Sequence, residues 1–153
     1  MIAFHLACPE IAARETRSLI VGPGPVLPAG EYAYVEFYCP DPGCDYRRVF
    51  IQVFSTDHPQ TVLASINFGW ERESFYRRKM PYDPEAPRQI TRGCLDPMNE
   101  QSEHASFLLT LFQDIVAGEP YRFRLKRHYK QFKQQVNNRT AECSVGHPDA
   151  PNT

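Results

Sequence analysis

The chain has 153 residues, of which 42% are hydrophobic and 23% charged, and 17 Lys and Arg stand against 18 Asp and Glu for a formal net charge of -1. That is about one domain's worth of ordinary globular composition, which excludes collagen, coiled coils and wholly disordered chains. The near-neutral balance names no partner, and no run approaches the ~18 consecutive apolar residues of a membrane helix, so no membrane partner is expected.

The first fifteen residues carry only a weak helical pattern, and His5, Pro9 and Glu10 interrupt the apolar start, so no secretory leader is expected there. A cytoplasmic location follows as the expectation. Ser18–Val21 reads as a short strand, stopped by the Pro/Gly segment from Gly22 to Gly30. The clearest β region is Glu31–Tyr38, followed by a second strand over Arg47–Phe54 and a third over Thr61–Phe68. Between the first two, Cys39-Pro-Asp-Pro-Gly-Cys44 is a turn in which two prolines fix φ and Gly43 can take a positive φ. Short connections of this kind favour an antiparallel meander.

Glu71–Met80 has the composition of a short helix, ended by Pro81, Pro84 and Pro87, and a surface loop is expected from Pro81 to Pro97. Ser102 reads as an N-cap for a helix whose apolar face is Phe107, Leu108, Leu111, Phe112, Ile115 and Val116. Gly118 and Pro120 read as a C′ glycine and a helix-starting proline. A second helix then repeats Tyr121, Leu125, His128, Tyr129, Phe132 and Val136 at spacings of three and four. The expected architecture is one α+β domain over residues 1–137: an antiparallel sheet of three or four strands with a C-terminal helical hairpin packed on it. Residues 138–153 read as a polar, mobile tail.

Five cysteines, an odd number, argue against a disulfide framework. Cys39 and Cys44 face each other across a rigid turn and supply half of a tetrahedral zinc site, with Cys94 the next candidate ligand. His5 with Cys8, His104, and Cys143 with His147 are the remaining donors at usable spacings.

The runs Phe37–Val49, Ile66–Glu71, Leu95–Ser102 and Leu125–Tyr129 resemble a small family of uncharacterised bacterial proteins, over about residues 30–135. In that family the turn reads Cys-x4-Cys-x-Cys, which implies a cysteine-rich metal site. Here Tyr46 stands at the third cysteine position, which either removes the metal or passes the ligand role elsewhere. The resemblance implies a single domain and no particular reaction.

Catalytic motifs are thin. Asp57-His58 has acid–base composition but sits on a proline-bounded turn, where such residues are commonly solvated turn formers. No Gly-x-Ser-x-Gly elbow and no phosphate-binding glycine loop occurs. From Glu119 to Arg139, Arg122, Arg124, Lys126, Arg127, Lys130, Lys133 and Arg139 face only one acidic residue, a composition able to track nucleic-acid phosphates. The leading expectation is a non-enzymatic interaction module of bacterial cytoplasm, zinc-stabilised and engaging a protein partner. The alternative is a nucleic-acid-binding accessory protein using this basic helix, and a metal-assisted hydrolase ranks third.

Overall fold

A computed structural model describes the backbone of residues 1–145 and the side chains of residues 1–140. The order of elements is β1 (Ile2–Ala3), α1 (Phe4–Ala7), α2 (Pro9–Glu15), β2 (Arg17–Val21), β3 (Gly30–Tyr38), β4 (Arg48–Ser55) and β5 (Ala64–Gly69). These are followed by α3 (Glu73–Lys79), α4 (Ala86–Arg92), β6 (Cys94–Leu95), α5 (Ala105–Leu111), a π-helical turn (Phe112–Val116) and α6 (Glu119–Val145).

The α+β class and the antiparallel meander are as expected, but the sheet has six strands rather than three or four. The order is β1-β3-β4-β5-β6, with β2 also paired to β3. The two strands that sequence reading omits, β1 and β6, are two residues each, too short for a period-2 pattern to register. β1 and β2 share one edge of β3. Ile2 and Ala3 pair with Tyr38 and Phe37, and Arg17–Val21 pair with Tyr34–Gly30. A gap opposite Val35 and Glu36 is left between them.

Alternation along the strands gives the sheet two unlike faces. On one, Tyr32, Tyr34, Glu36, Tyr38, Val49, Ile51, Val53, Ala64, Ile66 and Phe68 are all at most 4% exposed. The core on this side is completed by Phe4, by Leu108, Phe112 and Val116, and by Tyr121, Leu125 and Phe132 of α6. On the other face, one end carries a second, smaller core of Tyr76, Met80 and Ile90. A Cβ at Gly69 would lie 2.7 Å from Ile90 Cγ2 and collide with the Tyr76 ring. Glycine there is what lets α3 and α4 close on the sheet. Among the described residues no helix packs on the rest of this second face.

Several boundaries differ for identifiable reasons. The loop expected over 81–97 contains α4 and β6. Pro87 lies in the first turn of α4, where a missing N–H costs nothing, and the Asp83 carboxylate accepts from the Glu85 and Ala86 amides at 3.0 Å each. Ser102 is not the N-cap of α5. Its hydroxyl donates to Leu63 O at 2.7 Å, and α5 starts at Ala105. Ala117 N donates to Phe112 O at 2.8 Å, an i→i−5 bond that inserts an extra residue into the turn. The inserted residue rotates Ile115 outward, to 49% exposure, while Val116 stays buried.

Neither Gly43 nor Gly118 takes a positive φ. The left-handed positions are Arg47 (φ 48°) and Gly93 (φ 88°). The Gly118 carbonyl instead accepts from the Tyr121 and Arg122 amides, so it opens α6. The helix continues to Val145, so the boundary expected after residue 137 falls inside it.

Candidate functional site

The periodicity of α6 buries Tyr121, Leu125, His128 and Phe132 at spacings of four, three and four. Three are ordinary core residues. His128 is an imidazole at 1% exposure whose two nitrogens both meet carboxylates. Nδ1 lies 2.8 Å from Glu36 Oε2, and Nε2 lies 3.0 Å from Glu15 Oε2.

Glu36, itself 4% exposed, also accepts from the Tyr38 hydroxyl at 2.8 Å and the Tyr121 hydroxyl at 3.3 Å. The Phe4 ring stacks on His128 with centroids 4.3 Å apart and planes 15° from parallel. Glu15 is further held by the Arg127 guanidinium, and its carbonyl accepts from Arg124 Nη1 at 3.1 Å.

A neutral imidazole offers one donor, and a protonated one offers two. With a carboxylate oxygen at each nitrogen, full pairing requires either a doubly donating ring or a proton on one carboxyl. The hydrogen bond from His128, with help from Arg127, holds the Glu15 carboxyl below the usual glutamate range. Burial first, then the Glu36 charge, push the Tyr38 and Tyr121 hydroxyls well above the usual tyrosine value. The network ties α2, β3 and α6 together at the gap between β1 and β2. The hollow beside it, lined by Phe4, Ala12, Thr16, Val35 and Glu36, is about 10 Å³, room for one water rather than a substrate. Sequence reading places His128 on the apolar stripe and Glu36 in a strand. A charge or imidazole on an otherwise apolar stripe is the signal that could have paired them.

The cysteine turn is partly as expected. Cys39 and Cys44 are both half-buried at the ends of the turn, and burial, with Cys39 adding to it, pushes the Cys44 thiol up. Cys94 is elsewhere. It pairs with Asn67, which pairs with Phe50, which pairs with Phe37. Three strand spacings, about 14 Å, separate Cys94 from Phe37 on β3, and Cys94 packs against the same small core as Tyr46. Tyr46 packs against the second core with the Arg48 guanidinium 5.3 Å from its ring centroid.

His5 is exposed whereas Cys8 is buried in the main core. The Cys143 and His147 side chains lie outside the described residues. Among the described residues no group of three or more His, Cys, Asp or Glu side chains converges as a metal site. Two thiols are half of what zinc takes, so the described side chains do not fit it.

The basic helix is largely engaged with its own protein. Arg122 donates to Ala117 O and Thr91 O, both at 3.2 Å, and its guanidinium lies over Phe68. Arg124 and Arg127 hold Glu15, Lys126 lies 3.9 Å from Glu71, and Lys133 donates to Asp41 O. Arg139 donates to Leu6 O at 3.5 Å, and of the seven cations Lys130 alone has no such contact among the described residues.

Asp57 and His58 are exposed on their turn and form no ion pair with each other among the described contacts. Together with His104, Tyr32, Ser55 and Leu63 they line an open groove of about 270 Å³.

The helix-free part of the second sheet face is mixed, its apolar residues interleaved with Ser18, Glu31 and Gln52. Antiparallel pairing puts Ile20, Ala33, Val35, Phe37 and Phe54 on that side. Ile20 is 81% exposed, and the other four are half-buried. Comparison with protein-family models, curated proteins and solved structures finds no match to this chain. Its class therefore rests on architecture: an α+β domain with helices covering one face of an antiparallel sheet and part of the other. Among the described residues no helix is long and apolar enough to cross a membrane.

Proposed function

We propose that this protein is a non-enzymatic interaction module that docks a protein partner on the open sheet face formed by Ile20, Ala33, Val35, Phe37 and Phe54. The observation that carries this reading is the contrast between the two faces. One is sealed by α5 and α6, whereas the other, beyond the reach of α3 and α4, presents Ile20, Ala33, Val35, Phe37 and Phe54 among Ser18, Glu31 and Gln52. Apolar surface set among polar residues in this way marks contact sites. The adjoining strand β2 pairs on one side only, with β3, so its outer edge offers backbone hydrogen bonds beside the patch.

Two further features support a binding role. The most polar buried cluster, around His128, adjoins no substrate-sized cavity, and most of the α6 cations are used to fasten the helix. The nucleic-acid alternative has correspondingly less to stand on.

The test is co-purification of the tagged protein with nuclease treatment and at low and high salt. A partner that survives both, and is lost in Phe54→Glu and Val35→Glu variants with unchanged melting, supports the reading. Binding that disappears with nuclease, or falls steeply with salt and is insensitive to these variants, transfers the function to nucleic acid. Retention of the partner by both variants removes the sheet face from the proposal.

A further inference from the structure

Side chains alternate along β2 as along its neighbours. Leu19 and Val21 pack against the main core, whereas Ile20 points to the open face. Arg17 takes the next inward position, directly opposite the fully buried Tyr34. A cation therefore stands where the alternation calls for an apolar side chain. Arg17 Nε and the Tyr34 hydroxyl are both buried, and among the described residues neither has a hydrogen-bond partner. Arg17 forms no ion pair among the described residues either. Buried polar groups are costly to leave unpaired, so an orphaned pair on facing residues calls for a partner from outside the chain.

Arg17 borders a cavity of about 190 Å³ between β2, the π-helical turn and the first turn of α6. Arg124 and Tyr121 share its wall with Arg17, and Ile115, Val116 and Pro120 supply an apolar side. No acidic side chain lines it among the described residues. Arg124 is fixed beside the cavity by its bond to Glu15 O at 3.1 Å. Ile115 borders the cavity because the residue inserted in the π-helical turn rotates it out of the core, and such insertions recur at binding sites.

We propose that this cavity binds a small carboxylate with a short apolar tail, its carboxylate between Arg17 and Arg124 and its tail against Ile115, Val116 and Pro120. Two guanidiniums facing one cavity repel each other until an anion lies between them. Their planar donor forks match a carboxylate. The cavity is small beside the roughly 300–1,000 Å³ sites of drug-sized ligands, which limits the tail to a few carbons. Its apolar side favours such a tail over a fully hydrated inorganic anion. The site lies under α6, on the face opposite Ile20, and is independent of the partner-docking surface.

The probe is butyrate, with 1-butanol as its uncharged counterpart and inorganic phosphate as an anion without a tail. Butyrate should bind the full chain saturably by titration calorimetry, shift the amide signals of Arg17, Tyr121 and Arg124, and raise the melting temperature. 1-Butanol should do none of these. Arg17→Met should weaken butyrate binding by about tenfold or more. Without butyrate it should melt no lower than the wild type, because no partner of Arg17 within the chain is lost. Ile115→Asp, at a half-exposed position, should abolish binding by setting a like charge against the carboxylate while leaving the fold intact. A folded wild type that shows no saturable butyrate binding overturns the inference, as does binding that both variants leave unchanged. Phosphate bound more tightly than butyrate overturns the assignment to a carboxylate with an apolar tail. An Arg17→Met protein that melts well below the wild type without butyrate makes Arg17 a structural residue and overturns the inference too.

Discussion

His128 Nδ1 and Glu36 Oε2 meet at 2.8 Å across 92 residues of sequence, in a setting where neither side chain is more than 4% exposed. Removing His128 leaves the buried Glu36 carboxyl with only the Tyr38 and Tyr121 hydroxyls. His128→Leu is expected to cost about 3–5 kcal/mol in urea unfolding, the range for breaking a buried charged pair. The Glu36→Leu/His128→Leu double variant should cost clearly less than the sum of the singles. Strict additivity would mean that the two do not act as a unit.

The acid limb of stability should depend on Glu15. Its carboxyl is held low by His128 and Arg127, so the stabilisation is complete above the unfolded glutamate value of about 4.3 and is lost as pH falls through the depressed folded value. Urea midpoints measured down through that window should fall steeply for wild type and more gently for Glu15→Gln. Parallel curves would contradict the assignment.

The opposite sign holds at high pH. Tyr38 and Tyr121 are raised by burial and by Glu36, so their contribution is full below about 10 and declines as pH climbs above that value. Absorbance titration of the folded protein should show these phenols ionising only with unfolding, and their titration in the intact fold would refute the burial.

Gly69→Ala drives a methyl group into Tyr76 and Ile90. The expected cost is about 1–3 kcal/mol, the usual range for overpacking. Hydrogen exchange should show α3 and α4 losing protection while α6 keeps its own. Uniform loss across the domain would mean that the second core is not a separate layer.

Arg122 and Lys130 separate fastening from phosphate contact on α6. Arg122→Ala removes two hydrogen bonds to carbonyls and a cation over Phe68, for an expected loss of about 1–2 kcal/mol by thermal melting. Lys130→Ala should leave stability within about 0.5 kcal/mol of wild type. Equal effects would undo the distinction.

Local pattern determined a good deal by itself. The alternation of Tyr32, Tyr34, Glu36 and Tyr38 announces the strand and its buried face, and the spacing of Tyr121, Leu125, His128 and Phe132 announces α6 and its buried side. These follow from sequence because a period of two or 3.6 is written in neighbouring residues. The turn between Cys39 and Cys44 is equally local, closed by the Cys44 N–H on Asp41 O.

What the tertiary structure alone decided is which distant residues meet. Glu15, Glu36 and His128 converge because α6 crosses the gap between β2 and β1, the latter too short for any periodicity to reveal. Cys94, which composition alone groups with the other thiols, lands on the edge strand β6 against the second core. Arg122, Arg124, Arg127 and Lys133 read as a cationic face in sequence, yet in the fold they find carbonyls and the Glu15 carboxylate. Charge counted along a helix does not show what packs against it, and only the crossing of elements supplies those partners.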